Sequence, residues 1–397
     1  MFEIIPKTFW YDFVARRRFW AVVSFASSGI GLLLMLVVGP NWSIDFTGGT
    51  VVEMHFPQTT EIAEVREQLT PLGISDDSIQ QLGTDADNRF LVRIQGEAKA
   101  DPGQIEAVKN ALNTAFGATW IEDFKVDTEV GTRAKIVYTG PAVALDKIDA
   151  ALTGVSGVGV QGSPDDNTFY IRLPGIADAI RSTLTSAFPQ KPPVIERTES
   201  VGPRVGGDLR KAGVTALLVS AALHLVYIGI RFDFTFAPGA IICLLHDVAI
   251  TCGILVLTRQ DFGLQTVSAL LTLSGYSLND TIVVYDRIRE NLHKYRRKNF
   301  GDLINDSINQ TLSRTIMTAG ATALAMIPFL FIGGPVLREF ATVMLVGIVV
   351  GCYSSVYVAA PLTMILRDNQ DFLLGLVGMR SKPAAGGDDA PAGRKSP

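Results

Sequence analysis

The chain has 397 residues, 48% of them hydrophobic, a formal net charge of −4 and a mean hydropathy of +0.28. A positive mean hydropathy at this length excludes an ordinary soluble globule and points to membrane spans. All three cysteines fall in apolar stretches, where they read as small packing residues, so neither a disulfide framework nor a metal centre is implied and no cofactor is expected.

Six stretches can cross a hydrocarbon core of about 30 Å at about 1.5 Å per residue: 19–38, 212–230, 237–257, 263–285, 315–332 and 340–365. Lys7 and Arg16 to Arg18 precede the first, and Arg287, Arg289, Lys294, Arg296, Arg297, Lys298 and Arg314 follow the fourth. Positive residues stay inside. Segments 1–18, 286–314 and 366–397 are therefore expected in the cytoplasm, and the insert 39–211 outside, which suits a bacterial inner membrane with a periplasmic domain. No small-residue cleavage pattern follows the arginines, so the first span is expected to remain as an anchor.

In chain order, Pro40 to Thr50 reads as an exit elbow: Trp42 suits a membrane interface, and Gly48-Gly49 permits a sharp bend before an extended run. Asp45 is either a solvated turn residue or a charge tying the elbow to another part of the outer face. The insert then shows strand, helix, two strands, helix and strand, and the same order again. The fold class expected is an α-helical membrane protein with six transmembrane helices plus a periplasmic α+β insert of two ferredoxin-like (βαββαβ) units, at about 48–130 and 131–205. Duplication is supported by the likeness of Thr128-Glu-Val-Gly-Thr-Arg133 to Thr198-Glu-Ser-Val-Gly-Pro-Arg204, and of Asp87-Asn-Arg-Phe to Asp166-Asn-Thr-Phe.

From Gly39 to Ala212 there are 24 acidic against 16 basic residues, with no basic aromatic stripe, so a nucleic-acid partner is not expected. His55 is the only histidine of the insert and no cysteine lies there, which argues against hydrolase or metal chemistry. The open sheets suit transient contact with extended polypeptide; a rigid spacer is the plainer reading. Gly202 and Pro203 then suggest a tight turn, a hinge, before the second span.

Asp247, in Leu245-His-Asp-Val-Ala249 of the third span, lies about 13 Å into the bilayer. It is either a second functional carboxylate or a structural one bonded to Ser274, Ser277 or Asn279 of a neighbouring helix. His246 and His224 read as packing residues. Asp280, preceded by Asn279, is the only ionisable carboxylate in the buried part of the fourth span, one to two turns from the charged edge at Asp286 and Arg287. A carboxylate at membrane depth is costly and usually faces a partner, water or an ion path. A proton or ion site is the leading reading; a hydrogen bond to a neighbouring helix and a shallow position reaching headgroup water compete with it. Arg314 opens the fifth span, with Thr318 one turn deeper on the same face. It is either a positive-inside anchor or a cation that favours ionised Asp280 when close and protonated Asp280 when withdrawn. Residues 382–397 read as a disordered tail.

Ile44-Asp-Phe-Thr-Gly-Gly, Glu199-Ser-Val-Gly-Pro, Leu245-His-Asp-Val, Gly275-Tyr-Ser-Leu-Asn-Asp-Thr-Ile-Val-Val-Tyr-Asp-Arg-Ile-Arg-Glu-Asn and Leu312-Ser-Arg-Thr resemble, in order, the signature stretches of the SecF family of bacterial protein-export subunits. The resemblance implies a six-span half of the resistance-nodulation-division exporter fold that pairs with SecD. It implies no enzymatic chemistry, but proton conduction through Asp280 and Arg314, with Thr318 nearby. It also implies work alongside SecA and the SecYEG channel on unfolded preprotein, in contact with membrane lipid and with YajC as a further partner. Family members more often carry a single ferredoxin-like unit outside the membrane, so the second unit here is a departure. Two other functions fit similar spans: a half-exporter for lipids or drugs, and a scaffold in which Asp280 is replaceable.

Overall fold

The computed structural model describes residues 10–83, 87–95, 102–127, 133–155, 157–162, 167–232 and 236–368. The expected tail at 382–397 and the segment around Lys7 lie outside the described residues. The chain forms two compact units, Met1–Pro40 with Ala216–Gln260 and Gln265–Pro397, and Asn41–Thr215 with Asp261–Leu264.

After α1 (Arg17–Val37), the second unit runs β1 (Asn41–Trp42), α2 (Ile44–Thr47), β2 (Gly49–His55), α3 (Ile62–Leu69), β3 (Ile79–Leu82) and β4 (Arg89–Gln95). It continues with α4 (Pro102–Phe116), β5 (Ile121–Asp127), β6 (Arg133–Tyr138), α5 (Leu145–Leu152), β7 (Gly159–Gly162) and β8 (Thr168–Arg172). Then come α6 (Ile176–Ala187) and β9 (Val194–Val201). Each helix carries a buried aliphatic pair one turn apart, Val65/Leu69, Val108/Leu112, Ile148/Leu152 and Ile180/Leu184, the spacing that lays a helix on a sheet. Burying each of these side chains contributes about 1.5–3 kcal/mol.

The pairing corrects the tandem division at about 130. One antiparallel sheet has the order β3-β4-β2-β9 and the other β5-β6-β8-β7. The chain leaves the first sheet after β4, builds the whole second sheet, and returns with α6 and β9 to finish the first. Val65 of α3 and Ile180 of α6 accordingly share one core with β2, while Val108 of α4 and Ile148 of α5 share the other with β6 and β8. Tandem and nested arrangements have the same element order, so only pairing separates them. Here the short β5–β6 connection favours a hairpin, which commits β5 to the second sheet. Arg89 of β4 secures the returning strand by donating to buried Glu53 of β2 at 2.7 Å and to Glu196 of β9. The bond to Glu196 holds this guanidinium above its ordinary pKa.

The remaining helices are α7 (Pro203–Arg231), α8 (Ala237–Leu257), α9 (Leu264–Lys294), α10 (Phe300–Ile332), α11 (Gly334–Ser354) and, after a π-helical turn at Ser355–Ala359, α12 (Ala360–Asp368). A two-residue strand, β10 (Asp261–Phe262), precedes α9. Six helical segments are long and apolar enough to cross a membrane. Large apolar side chains such as Phe25, Leu36, Ile230 and Ile332 stand exposed on α1, α7 and α10, whereas α8 is mostly buried. Extensive exposed apolar surface belongs against lipid or a partner.

Two expected boundaries shift. The second span, expected to start at 212 after a tight turn at Gly202 and Pro203, belongs to a helix that already begins at Pro203, because proline at the first helical position fits the fixed φ of that site. The basic loop 286–314 is largely helix: α9 continues to Lys294, and Asn299 caps α10 by accepting from the Gly301 N–H at 2.9 Å. Beyond the apolar stretch the two helices are joined by polar pairs, a buried one in which Asn291 donates to Ser307 at 2.8 Å and an exposed one in which Arg287 donates to Gln310 at 2.6 Å. Asn305 accepts from the Phe13 N–H at 2.8 Å, docking the segment before α1.

Candidate functional site

Two glycines on α11 set the geometry of the helical core. A Cβ on Gly347 would collide with Leu273 of α9, and one on Gly351 would lie 3.3 Å from the Cβ of Ser277. Small residues at one-turn spacing thus let α9 and α11 pass close together. That approach delivers two hydroxyls to Asp247 of α8. Its Oδ2 accepts from Ser277 Oγ at 2.5 Å and from Ser354 Oγ at 2.8 Å, and its Oδ1 lies 2.9 Å from Nδ1 of His246. Asp247 is fully buried, so these bonds replace the water a carboxylate would otherwise require. His246 stacks on Tyr353, with ring centroids 6.0 Å apart.

Asp280 lies one turn further along α9 than Ser277 and is also buried, at 3% exposure. Its surroundings differ. The nearest donor is the Cys352 thiol, with Sγ 4.0 Å from Oδ2. Arg314 is exposed on α10, and among the described residues no ion pair joins it to Asp280. Thr318 spends its hydroxyl on its own helix, donating to the carbonyls of Arg314 and Thr315 at 3.0 Å each. Asn279 is exposed on α9. Tyr276 reaches α10 instead, its hydroxyl 2.8 Å from that of Thr322. Asp286 pairs with Arg231 at 3.5 Å, and Arg287 with Glu290 at 2.5 Å.

The elbow residues come together within the other unit. Gly49 of β2 lies opposite Val201 of β9, which brings Gly48 against Gly202 and Pro203. Gly48 has φ +72°, and a Cβ there would sit 2.6 Å from the Pro203 Cα, so only glycine fits. Asp45 is a tie rather than a solvated turn: its Oδ2 accepts the Leu264 N–H at 3.0 Å, at the first turn of α9. Beside it β1 pairs in parallel with β10, and Asp261 accepts from Arg93 and from Asn41, each at 2.5 Å.

Ser277 was among the expected partners of Asp247; Ser354, His246 and Cys352 were not expected in the site. The stripe Gly347, Gly351, Ser354 in the sequence was the signal that α11 approaches closely. Among the described residues, no group of three or more His, Cys, Asp or Glu could hold a metal ion.

Six membrane-length helices, with two buried carboxylates among them, define a multi-pass membrane protein. Residues 181–369 match the family model "Protein export membrane protein SecD/SecF, C-terminal", and residues 33–59 match "SecD/SecF GG Motif". The chain is similar to Protein translocase subunit SecF of Koribacter versatilis, 34% identical over 90% of this chain and 92% of the relative. It is likewise similar to the subunit of that name from Desulfurispirillum indicum, 34% identical over 91% of this chain and 93% of the relative. A crystal structure of SecDF, a translocon-associated membrane protein from Thermus thermophilus, matches at TM-score 0.62 and 29% identity over 92% of this chain. The chain spans 40% of the length of that SecDF. The chain belongs to the SecF family of protein translocase subunits, membrane components with a role in protein export.

Proposed function

We propose that this subunit pairs with a SecD partner and uses the proton motive force to help complete preprotein translocation across the inner membrane. Both termini lie in the cytoplasm, and the two-sheet unit, a pair of ferredoxin-like folds with crossed closing elements, lies in the periplasm. SecA and the SecYEG channel begin transport, YajC is an accessory partner, and the periplasmic sheets handle the emerging unfolded chain. No cofactor takes part; protons are the coupling species.

The observation that carries this reading is the environment of Asp280: a carboxylate buried among the helices whose hydrogen-bond donor, among the described residues, is the weak Cys352 thiol at 4.0 Å. Such a group can exchange its proton without dismantling a bonded network. Protonation removes its attraction for Arg314, and release restores it, which ties proton occupancy to the relative position of α9 and α10. One charge crossing 100 mV supplies about 2.3 kcal/mol, enough to give a domain rearrangement direction. Asp247, already saturated with donors, holds α8, α9 and α11 in place around that motion, and Asn279 and Thr318 are secondary contributors to the path.

The test is preprotein export into vesicles carrying this subunit with its SecD partner, with and without an imposed potential. Asp280→Asn and Arg314→Ala are expected to cut the potential-dependent component sharply and spare the ATP-driven one. Potential-dependent export at the unmodified rate in Asp280→Asn overturns the proposal and leaves a scaffolding role.

A further inference from the structure

A groove of about 620 Å³ runs along α1 from Arg17 to Leu32, walled on its other sides by α8 and α12. It ends where the helices touch: a Cβ on Gly31 would collide with the Ala249 carbonyl, and one on Gly253 with Gly31 itself. Away from that contact α1 leaves room beside Ala21, Phe25, Leu245, Leu362 and Ile365. Phe25, Leu245 and Ile365 are themselves exposed, at 85%, 57% and 57%, so the groove is open sideways to whatever surrounds the helices. In a membrane that is lipid. Its mouth carries two guanidiniums, Arg17 and Arg18, both exposed.

We propose that this groove is a binding site for an anionic phospholipid, with one acyl chain lying along α1 and the phosphate held by Arg17 and Arg18. Three features select that occupant. Beyond the arginines the lining is mostly apolar, broken by Ser24, Ser28 and His246, which a soluble metabolite does not match. The paired arginines sit where a headgroup phosphate lies, and basic residues flanking a span favour anionic lipid. The groove is open sideways past Phe25, Leu245 and Ile365, a shape that a flexible acyl chain follows more readily than a rigid helix about 10 Å across. The lipid would fill the space between α1 and the wall containing His246, which bonds to Asp247.

The test uses the full chain with its membrane partner, equilibrated with vesicles of phosphatidylcholine containing a minor fraction of phosphatidylglycerol, then extracted in mild detergent. Retained lipid is read by native mass spectrometry. The unmodified protein is expected to retain phosphatidylglycerol selectively. Arg17→Gln with Arg18→Gln should lower that retention about tenfold, whereas Arg16→Gln, outside the groove, should leave it unchanged. Ala21→Trp, which fills the groove and keeps both charges, should lose the lipid as well, so the result does not depend on how the arginine variant folds. Undiminished retention in Ala21→Trp, or an equal loss in Arg16→Gln, would overturn the site. So would a photocrosslinker at Ala21 that captures a helix of the partner protein instead of lipid.

Discussion

Asp247 and Asp280 are two carboxylates in one helical core, both almost wholly removed from solvent, and they are built in opposite ways. The first is surrounded by two serine hydroxyls and an imidazole, all within 2.9 Å. The second has a thiol at 4.0 Å. A buried polar group is stabilised in proportion to the partners that face it, and removing one partner from a satisfied set costs more than the bond is worth. Asp247 is thus anchored by its surroundings. Asp280 lacks such an anchor, which is what the proposed proton site requires.

The sharpest way to break this contrast is to neutralise each acid in turn. Asp280→Asn is expected to cut the potential-dependent export rate about fiftyfold, the rate equivalent of about 2.3 kcal/mol at 100 mV. Its thermal unfolding in detergent should shift by less than about 1 kcal/mol, since no strong bond is lost. Asp247→Leu should behave in reverse, destabilising the protein by about 3 kcal/mol because two hydroxyls and the His246 ring lose their acceptor. If Asp247→Leu unfolds like the unmodified protein, the anchoring role fails. Ser277→Ala and Ser354→Ala should each cost about 1 kcal/mol, and the double variant less than their sum, because both donate to the same oxygen. Smallest of all, Asn279→Ala should change stability by less than about 0.5 kcal/mol, as expected of an exposed side chain; a larger loss would place it inside the network.

Hydropathy located the six spans because lipid demands long apolar runs, and α8 coincides with the expected 237–257. It did not locate the ends of α9 and α10, where the helices leave the apolar region and are held by side-chain amides such as Asn291 and Asn305. Asp280 stood out alone in an apolar run, and that isolation was visible in the sequence. The company of Asp247 was only half visible: Ser277 lies on the adjacent span, but Ser354 comes 107 residues later and is brought in by glycine-mediated packing that spacing alone does not specify. The tie between Arg93 and Asp261, 168 residues apart, carried no local signal at all. Strand order in the two-sheet unit was hidden for a related reason. A repeat in sequence reports what each element is, while the choice of neighbour rests on connection lengths and edge contacts such as those made by Arg89.

The returning strand β9 has a temporal consequence. Thr50 and Ser200, 150 residues apart, sit side by side in one sheet, so the edge of β2 stays open until most of the insert has been synthesised. The enclosed sheet, whose elements all lie between Pro102 and Arg172, can mature before that. A newborn chain therefore presents an open β2 edge, paired with β4 on one side only, until Val201 has been made.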